Sequence, residues 1–311
     1  MAEIEIPEMV RLKAISRGAT GAAWLAALGD IIAGLAADWE IAVGRTLPGG
    51  TEAFVAEVTM TDGLPAVLKI APPGGEPIAG ELATLSAARG RGYAKLLRHD
   101  EARGAMLLER LGPRLAELGL PIDAQMETIC ATLAEAWTQP PPGVAFTNGA
   151  EKAASLAAFI ETSWRALGRP CAGRTIETAL RFAELRRQGF DPASAVLAHG
   201  DAHAWNTLLV PGEATRRFKF VDPDGVFVEP AYDLSIPMRE WSGELLAGDP
   251  VALGRRRCRR LAELTGVAPK PIWQWGFIER TSTGLLCLKV GLEGGRDMLA
   301  VADAWAAADT A

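Results

Sequence analysis

His199-Gly200-Asp201-Ala202-His203-Ala204-Trp205-Asn206 is followed, after an apolar passage, by Phe220-Val221-Asp222-Pro223-Asp224-Gly225. The first run sets an Asp and an Asn on one short loop. The second places an acidic cluster directly behind an apolar run. Phosphoryl transfer from a nucleotide asks for that set of groups. One Asp accepts the proton of the attacking hydroxyl, and an Asn and a second Asp hold the magnesium that bridges the phosphates. The chain order of Asp201, Asn206 and Asp222 suits those three roles in turn.

Upstream, the same chemistry needs a lysine on a strand to reach the nucleotide phosphates and a helix acid to hold it. Lys69 is a lone charge inside Ala66-Val67-Leu68-Lys69-Ile70, where an unpaired ammonium would be costly. Glu81 opens the next helical stretch and is its expected partner, with Glu76 as a rival. Gly49 and Gly50, in the turn Pro48-Gly49-Gly50-Thr51 between two strands, are expected to bring backbone amides close to phosphate oxygens. Met106 and Glu109, in Met106-Leu107-Leu108-Glu109-Arg110-Leu111, fall where a hinge segment would meet the adenine. Each element alone has an ordinary explanation. Asp222-Pro223-Asp224-Gly225 could be a plain turn, Gly49-Gly50 a hairpin, and Lys69 a surface charge. Their occurrence together, in this order, favours the chemical reading.

The patterning splits the chain in two. Gly21 to Asp38 repeats apolar residues at helical spacing. Trp39–Leu47, Ala53–Met60 and Ala66–Ile70 read as strands of a meander, Glu81–Arg89 as a helix, and Leu96-Leu97 and Ala105–Glu109 as two more strands. Beyond Arg110 the chain is mainly helical, with helices expected over Ala124–Trp137, Glu151–Leu167 and Arg174–Gln188. A short apolar run, Ala195–Ala198, enters the Asp201 loop, and a small hairpin pairs Thr207–Val210 with Arg217–Val221. The expected architecture is α+β. A strand-rich nucleotide-binding lobe over residues 1–110 precedes a helical catalytic and acceptor-binding lobe over residues 111–311, with a cleft between them.

Acids slightly outnumber bases, 38 to 32, for a net charge of −6. That balance argues against nucleic acid as a partner. The acidic N-terminus, Met1 to Pro7, has neither the basic start nor the apolar run of a signal peptide. Asp30 interrupts the most apolar window, so a membrane span is not expected. The four cysteines lack zinc-site spacing and read as reduced thiols of a cytoplasmic protein. No obligate protein partner is inferred. Neither G-x-S-x-G, HExxH nor the GxxxxGK[ST] phosphate loop occurs.

Lys69, Glu81, the full His199-Gly200-Asp201 run with Asn206, Asp222 and Pro230-Ala231-Tyr232-Asp233-Leu234 together resemble the aminoglycoside phosphotransferase family, whose fold is similar to that of protein kinases. The stretch from Asp222 to Leu234, and Met106–Leu111, are most similar to the branch of streptomycin 6-phosphotransferases and hydroxyurea phosphotransferases. The resemblance implies a two-lobe kinase-like fold and phosphorylation of a small-molecule hydroxyl using ATP, with GTP as an alternative, and magnesium. It implies Asp201 as base, Asn206 and Asp222 as metal ligands, and Lys69 as phosphate clamp. A cationic acceptor such as streptomycin would need acids around it. Asp224, Glu229, Glu279 and Glu293 are the candidates, with Trp275 to stack on guanidinium groups or sugar rings. The competing expectations are a metabolic kinase of the same fold and a nucleotide-binding protein without catalysis. The complete set of Lys69, Asp201, Asn206 and Asp222 weighs against the latter.

Overall fold

Phe54, Ala56 and Val58 alternate with more exposed neighbours, and Ala66, Leu68 and Ile70 do the same one strand later. Period-two burial of this kind needs a covering layer on one face. The layer is supplied by two helices that precede the sheet. A computed structural model of the chain describes residues 5–47, 53–73, 78–213 and 215–309. The chain divides into two compact units, Met1–Gly112 and Pro113–Ala311.

The first unit runs α1 (Glu8–Ser16), α2 (Ala19–Trp39), β1 (Ile41–Thr46), β2 (Phe54–Met60), β3 (Pro65–Ile70), α3 (Ile78–Ala88), β4 (Leu96–Asp100) and β5 (Ala105–Glu109). The strands form one antiparallel sheet in the order β1-β2-β3-β5-β4. On α2 the row Trp24, Leu28, Ile32 and Leu35 recurs every three or four residues, and it packs with Phe54, Val58, Leu68, Ile70 and Leu107 in one core. Among the described residues α2 is the one helix long and apolar enough to cross a membrane. Its large side chains are instead spent on the sheet.

The sequence reading has no element at Glu8–Ser16. Its charges obscure the pattern, and burial rests on Val10 and Ala14. α1 and α2 cross where Gly21 lies against the Ala14 carbonyl, and a Cβ there would sit 1.8 Å from that oxygen. Gly49, Gly50 and Glu76 lie outside the described residues.

The second unit carries α4 (Ile122–Ala136), α5 (Gly149–Ala166), α6 (Gly173–Gln188), β6 (Val196–Ala198), β7 (Thr207–Leu209), β8 (Phe218–Phe220), β9 (Val226–Val228), α7 (Ala231–Arg239), α8 (Ser242–Leu246), α9 (Pro250–Thr265), α10 (Pro269–Val290) and α11 (Gly295–Ala308). The starts of α5 and α9 are encoded locally. Asn148 and Glu151 form a reciprocal capping box on α5. Asp249 caps α9 ahead of Pro250, and Gly266 ends that helix in the left-handed region. α10 is the spine of the unit, packing on α5, α6, α7, α9 and α11. Its Trp275, Phe277 and Ile278 are fully buried.

Two small antiparallel pairs, β6 with β9 and β7 with β8, matter most for the chemistry. The loop 199–206 leaves β6 and enters β7. The loop 221–225 leaves β8 and enters β9. Pairing the strands at both ends therefore clamps the two loops side by side. The sequence does not reveal β9, because three residues are too few to show a period.

All four cysteines, Cys130, Cys171, Cys258 and Cys287, are free and buried in this second unit. Burial pushes the thiols of Cys130 and Cys171 up to about 12 and that of Cys258 up to about 11.

Candidate active site

In the first unit, Lys69 lies on β3 with its side chain on the face opposite the α2 core. Its cross-strand neighbours are Val55 on β2 and Met106 on β5. The Nζ lies 2.7 Å from both carboxylate oxygens of Glu81, in the first turn of α3. Both side chains are nearly nine-tenths buried, so the pair resists screening by salt. Met106 is fully buried beside Lys69. Glu109 accepts a hydrogen bond from the Lys95 amide at 2.7 Å, which ties β5 to the start of β4.

In the second unit the two loops are stitched by backbone bonds. The Val221 amide donates to the Asn206 carbonyl at 3.0 Å, and the Asp224 amide donates to the His199 carbonyl at 2.8 Å. Asn206 and Asp222 are thereby held on adjacent strands of chain. The Asn206 Nδ2 donates to the Asp201 carbonyl at 3.1 Å, which fixes the orientation of its amide. Asp222 has φ of 55°, a conformation that costs a non-glycine residue energy and is concentrated at functional positions.

His199 is a loop strut. Its ring packs edge-on against Phe220 at 4.8 Å between centroids. Nε2 lies 3.0 Å from the Val221 carbonyl, and Nδ1 accepts from the Asp201 amide at 3.1 Å. Both bonds are made by a neutral ring, and burial holds the His199 pKa below its ordinary value. Gly200 has φ of 92°, and a Cβ there would lie 2.7 Å from the Cβ of Asp224. Only glycine satisfies both conditions. Gly200→Ala is expected to lower melting temperature measurably and turnover by about 10-fold or more, through strain of about 1–3 kcal/mol in the loop. A variant with wild-type melting temperature and turnover would contradict this.

The Asp201 carboxylate is held on both sides. His203 Nε2 is 3.1 Å from Oδ2, and an Arg239 guanidinium nitrogen is 2.7 Å from Oδ1. Burial alone would raise the Asp201 pKa. The hydrogen bond from His203 and the charge of Arg239 outweigh it and hold the carboxyl well below the usual range. For His203, burial disfavours the charged ring, but the Asp201 carboxylate prevails and raises its pKa. His203 Nδ1 also faces the Asn206 amide at 3.2 Å, so this ring connects Asp201 to Asn206.

Two residues of this assembly carry no assignment from the sequence. Asp233, fully buried on α7, takes the His199 amide at 3.0 Å, the Gly200 amide at 2.8 Å and the Trp137 indole N–H at 2.9 Å. A lone acid inside Ala231-Tyr232-Asp233-Leu234-Ser235-Ile236 is the signal that could have found it, since a buried carboxylate must have donors. Arg239, at the other end of α7, carries no comparable signal.

Of the acceptor residues expected from the sequence, Glu229, Trp275 and Glu279 meet around Tyr232. Asp224 packs against Gly200, beside the Asp201 loop. Trp275 is fully buried, meets Tyr232 edge-on at 5.0 Å and donates to Glu229 at 2.9 Å. That corrects the stacking expectation, because neither ring face is open to a ligand. Glu229 is engaged by Trp275 and by Arg186 at 3.2 Å. Glu279 is buried and accepts from the Tyr232 hydroxyl at 2.8 Å. Both carboxylates are engaged within the second unit, Glu279 also facing Arg239 at 3.6 Å. Glu293 is exposed in the turn after α10.

Residues 38–291 match the family model described as aminoglycoside/hydroxyurea antibiotic resistance kinase. The chain belongs to that family. Streptomycin 6-kinase of Streptomyces glaucescens is 30% identical over 279 residues, covering 88% of each chain. Hydroxyurea phosphotransferase of Kitasatospora aureofaciens is 30% identical, covering 83% of this chain and 77% of that one. Among solved structures, the choline kinase LicA from Streptococcus pneumoniae matches with a TM-score of 0.59 at 16% identity, over 90% of this chain and 99% of that one. The aminoglycoside phosphotransferase APH(3'')-Id from Streptomyces rimosus, solved with ADP and streptomycin, matches with a TM-score of 0.53 at 16% identity, over 82% and 98%. These two likenesses concern the fold, which is kinase-like as the sequence predicts. This antibiotic resistance kinase is therefore a phosphotransferase acting on a small-molecule hydroxyl.

Proposed function

We propose that this kinase transfers the γ-phosphoryl group of ATP, with magnesium, to a hydroxyl of a streptomycin-like aminoglycoside. The observation that carries the reading is the loop assembly. A half-buried, anionic Asp201 is held at both oxygens beside Asn206 and Asp222. Streptomycin is favoured as acceptor because two of the curated relatives, at 30% and 31% identity, are streptomycin 6-kinases. Hydroxyurea is the second acceptor to test, given the hydroxyurea phosphotransferase at 30% identity.

In this reading the first unit holds the nucleotide. Lys69, fixed by Glu81, pairs with its phosphates. Asp201 of the second unit orients the acceptor hydroxyl and takes its proton as the oxygen bonds to phosphorus and ADP leaves. A carboxylate held this acidic is a weak base. In a loose phosphoryl-transfer transition state, however, aim counts for more than basicity.

The donor set suits magnesium. Asp222 offers a carboxylate, and Asn206, whose Nδ2 is spent on the Asp201 carbonyl, has Oδ1 left as an oxygen donor. When bound, the ion would neutralise charge on the phosphates. Asp222→Ala is expected to lower turnover by about 100-fold or more and to move the magnesium half-saturation point upward. An unchanged magnesium titration would remove Asp222 from that role.

The deciding experiment is transfer from γ-labelled ATP with magnesium across streptomycin, other aminoglycosides, hydroxyurea and simple amino alcohols. Labelled streptomycin is expected. Label on another acceptor would keep the chemistry and replace the substrate. Absence of labelled product despite ATP binding would overturn the reading.

A further inference from the structure

We propose that Arg239 is the positioning residue of Asp201, a role that rests on Asp201 being the base. Its guanidinium holds Oδ1 at 2.7 Å while His203 holds Oδ2 at 3.1 Å. With one donor on each oxygen, rotation of the carboxylate about its last torsion is blocked. The plane that must meet the acceptor hydroxyl is thus set before any ligand arrives.

The arginine is itself fixed from several sides. Its Nε lies 3.2 Å from Glu240, and NH1 lies 3.6 Å from Glu279 and 3.4 Å from the Thr283 hydroxyl. Glu279 is in turn held by the Tyr232 hydroxyl. The Arg239 side chain is 11% exposed. Two further arginines secure the chain around it. Arg257 donates to the Pro237 and Glu240 carbonyls at 3.3 and 2.7 Å, and Arg280 donates to those of Met238 and Glu240 at 2.7 and 3.3 Å. These carbonyls end α7, where helix groups lack intrahelical partners and the helix dipole favours cations. α7 thus grips the Asp201 loop twice, through the Asp233 carboxylate near its start and through Arg239 at its end. Because Glu240 and Glu279 also face Arg239, its place does not depend on Asp201.

The test is a double-mutant cycle on turnover, with transfer to streptomycin as readout, or hydrolysis of ATP by water where streptomycin is not accepted. Arg239→Met is expected to lower kcat by about 100-fold, the scale of a small misalignment of a reacting group. KM for nucleotide and acceptor should stay within about 3-fold. In an Asp201→Ala background the same substitution should have no further effect on the residual rate. Arg239→Lys keeps a cation for Glu240 and Glu279 but loses the planar fork, and should fall about 10-fold in kcat with KM unchanged. It carries the test if Arg239→Met does not fold. Wild-type kcat in either Arg239 variant, or equal losses with and without Asp201, would overturn the proposal. A fully active Asp201→Ala protein would instead overturn the reading on which the proposal rests.

Discussion

Asp201→Ala is expected to lower phosphate transfer by about 10³-fold while nucleotide affinity changes little. General-base contributions are typically 10²–10⁴-fold, and in the proposed mechanism the same carboxylate also orients the acceptor. The protein should still fold, because Arg239 keeps Glu240 and Glu279 as partners. His203, neutral or charged, can turn to water. Transfer from labelled ATP and nucleotide titration by calorimetry, run on one preparation, separate the two effects. Near-normal turnover would dismiss Asp201 as the base. Loss of nucleotide binding in parallel would mean that the substitution had disturbed more than the reacting group.

The second large effect belongs to Asp233. Asp233→Ala removes a buried carboxylate that accepts from three N–H groups, those of His199, Gly200 and Trp137. Leaving buried donors without an acceptor costs about 1–3 kcal/mol each before relaxation. A net loss of about 3–5 kcal/mol is expected, the scale for breaking a buried charged network. For a unit of this size that is a fall of about 10 °C in melting temperature. Turnover should fall with it, since the amides released belong to the residues immediately before Asp201. Asp233→Asn keeps one acceptor oxygen but turns an NH2 toward a donor, so it should recover only part of the stability. Thermal unfolding followed by circular dichroism is the measurement, and a wild-type midpoint for Asp233→Ala would refute the account.

The contrast between these two acids shows what the sequence could and could not convey. Asp201 can be proposed from the sequence because the proposed chemistry fixes its neighbours. An Asn must follow within one loop and a second Asp after a strand, and both spacings are visible in the chain. Lys69 and Glu81 were legible for the same reason, as a charge in an apolar strand and an acid at the next helix start. The sheet and most helices followed from period and turn residues. Arg239 was not legible, because its meeting with Asp201 depends on how α7 packs on the 199–206 loop, and no local spacing encodes that.

The burial of Trp275 and Glu279 is hidden from the sequence for a related reason. Glu279 and Trp275 have the types that a cationic sugar would want, but type does not reveal burial. α10 places Trp275 and Glu279 one turn apart on its inner face, against Tyr232 of α7. Their chemistry is spent holding α7 in place. The N-terminal helix α1 was missed because two buried residues in nine do not make a period.

The distribution of thiols has a practical corollary. Every cysteine of the chain lies in the second unit, buried, with burial raising its pKa. At neutral pH almost none of this sulfur is thiolate, the form that reacts with maleimide dyes. The native protein is therefore a blank background for labelling. A cysteine introduced at exposed Asp30 and another at exposed Glu293 would take dyes without deleting any natural residue's sulfur. Each unit would then carry one dye whose emission reports its own surroundings as ATP is added.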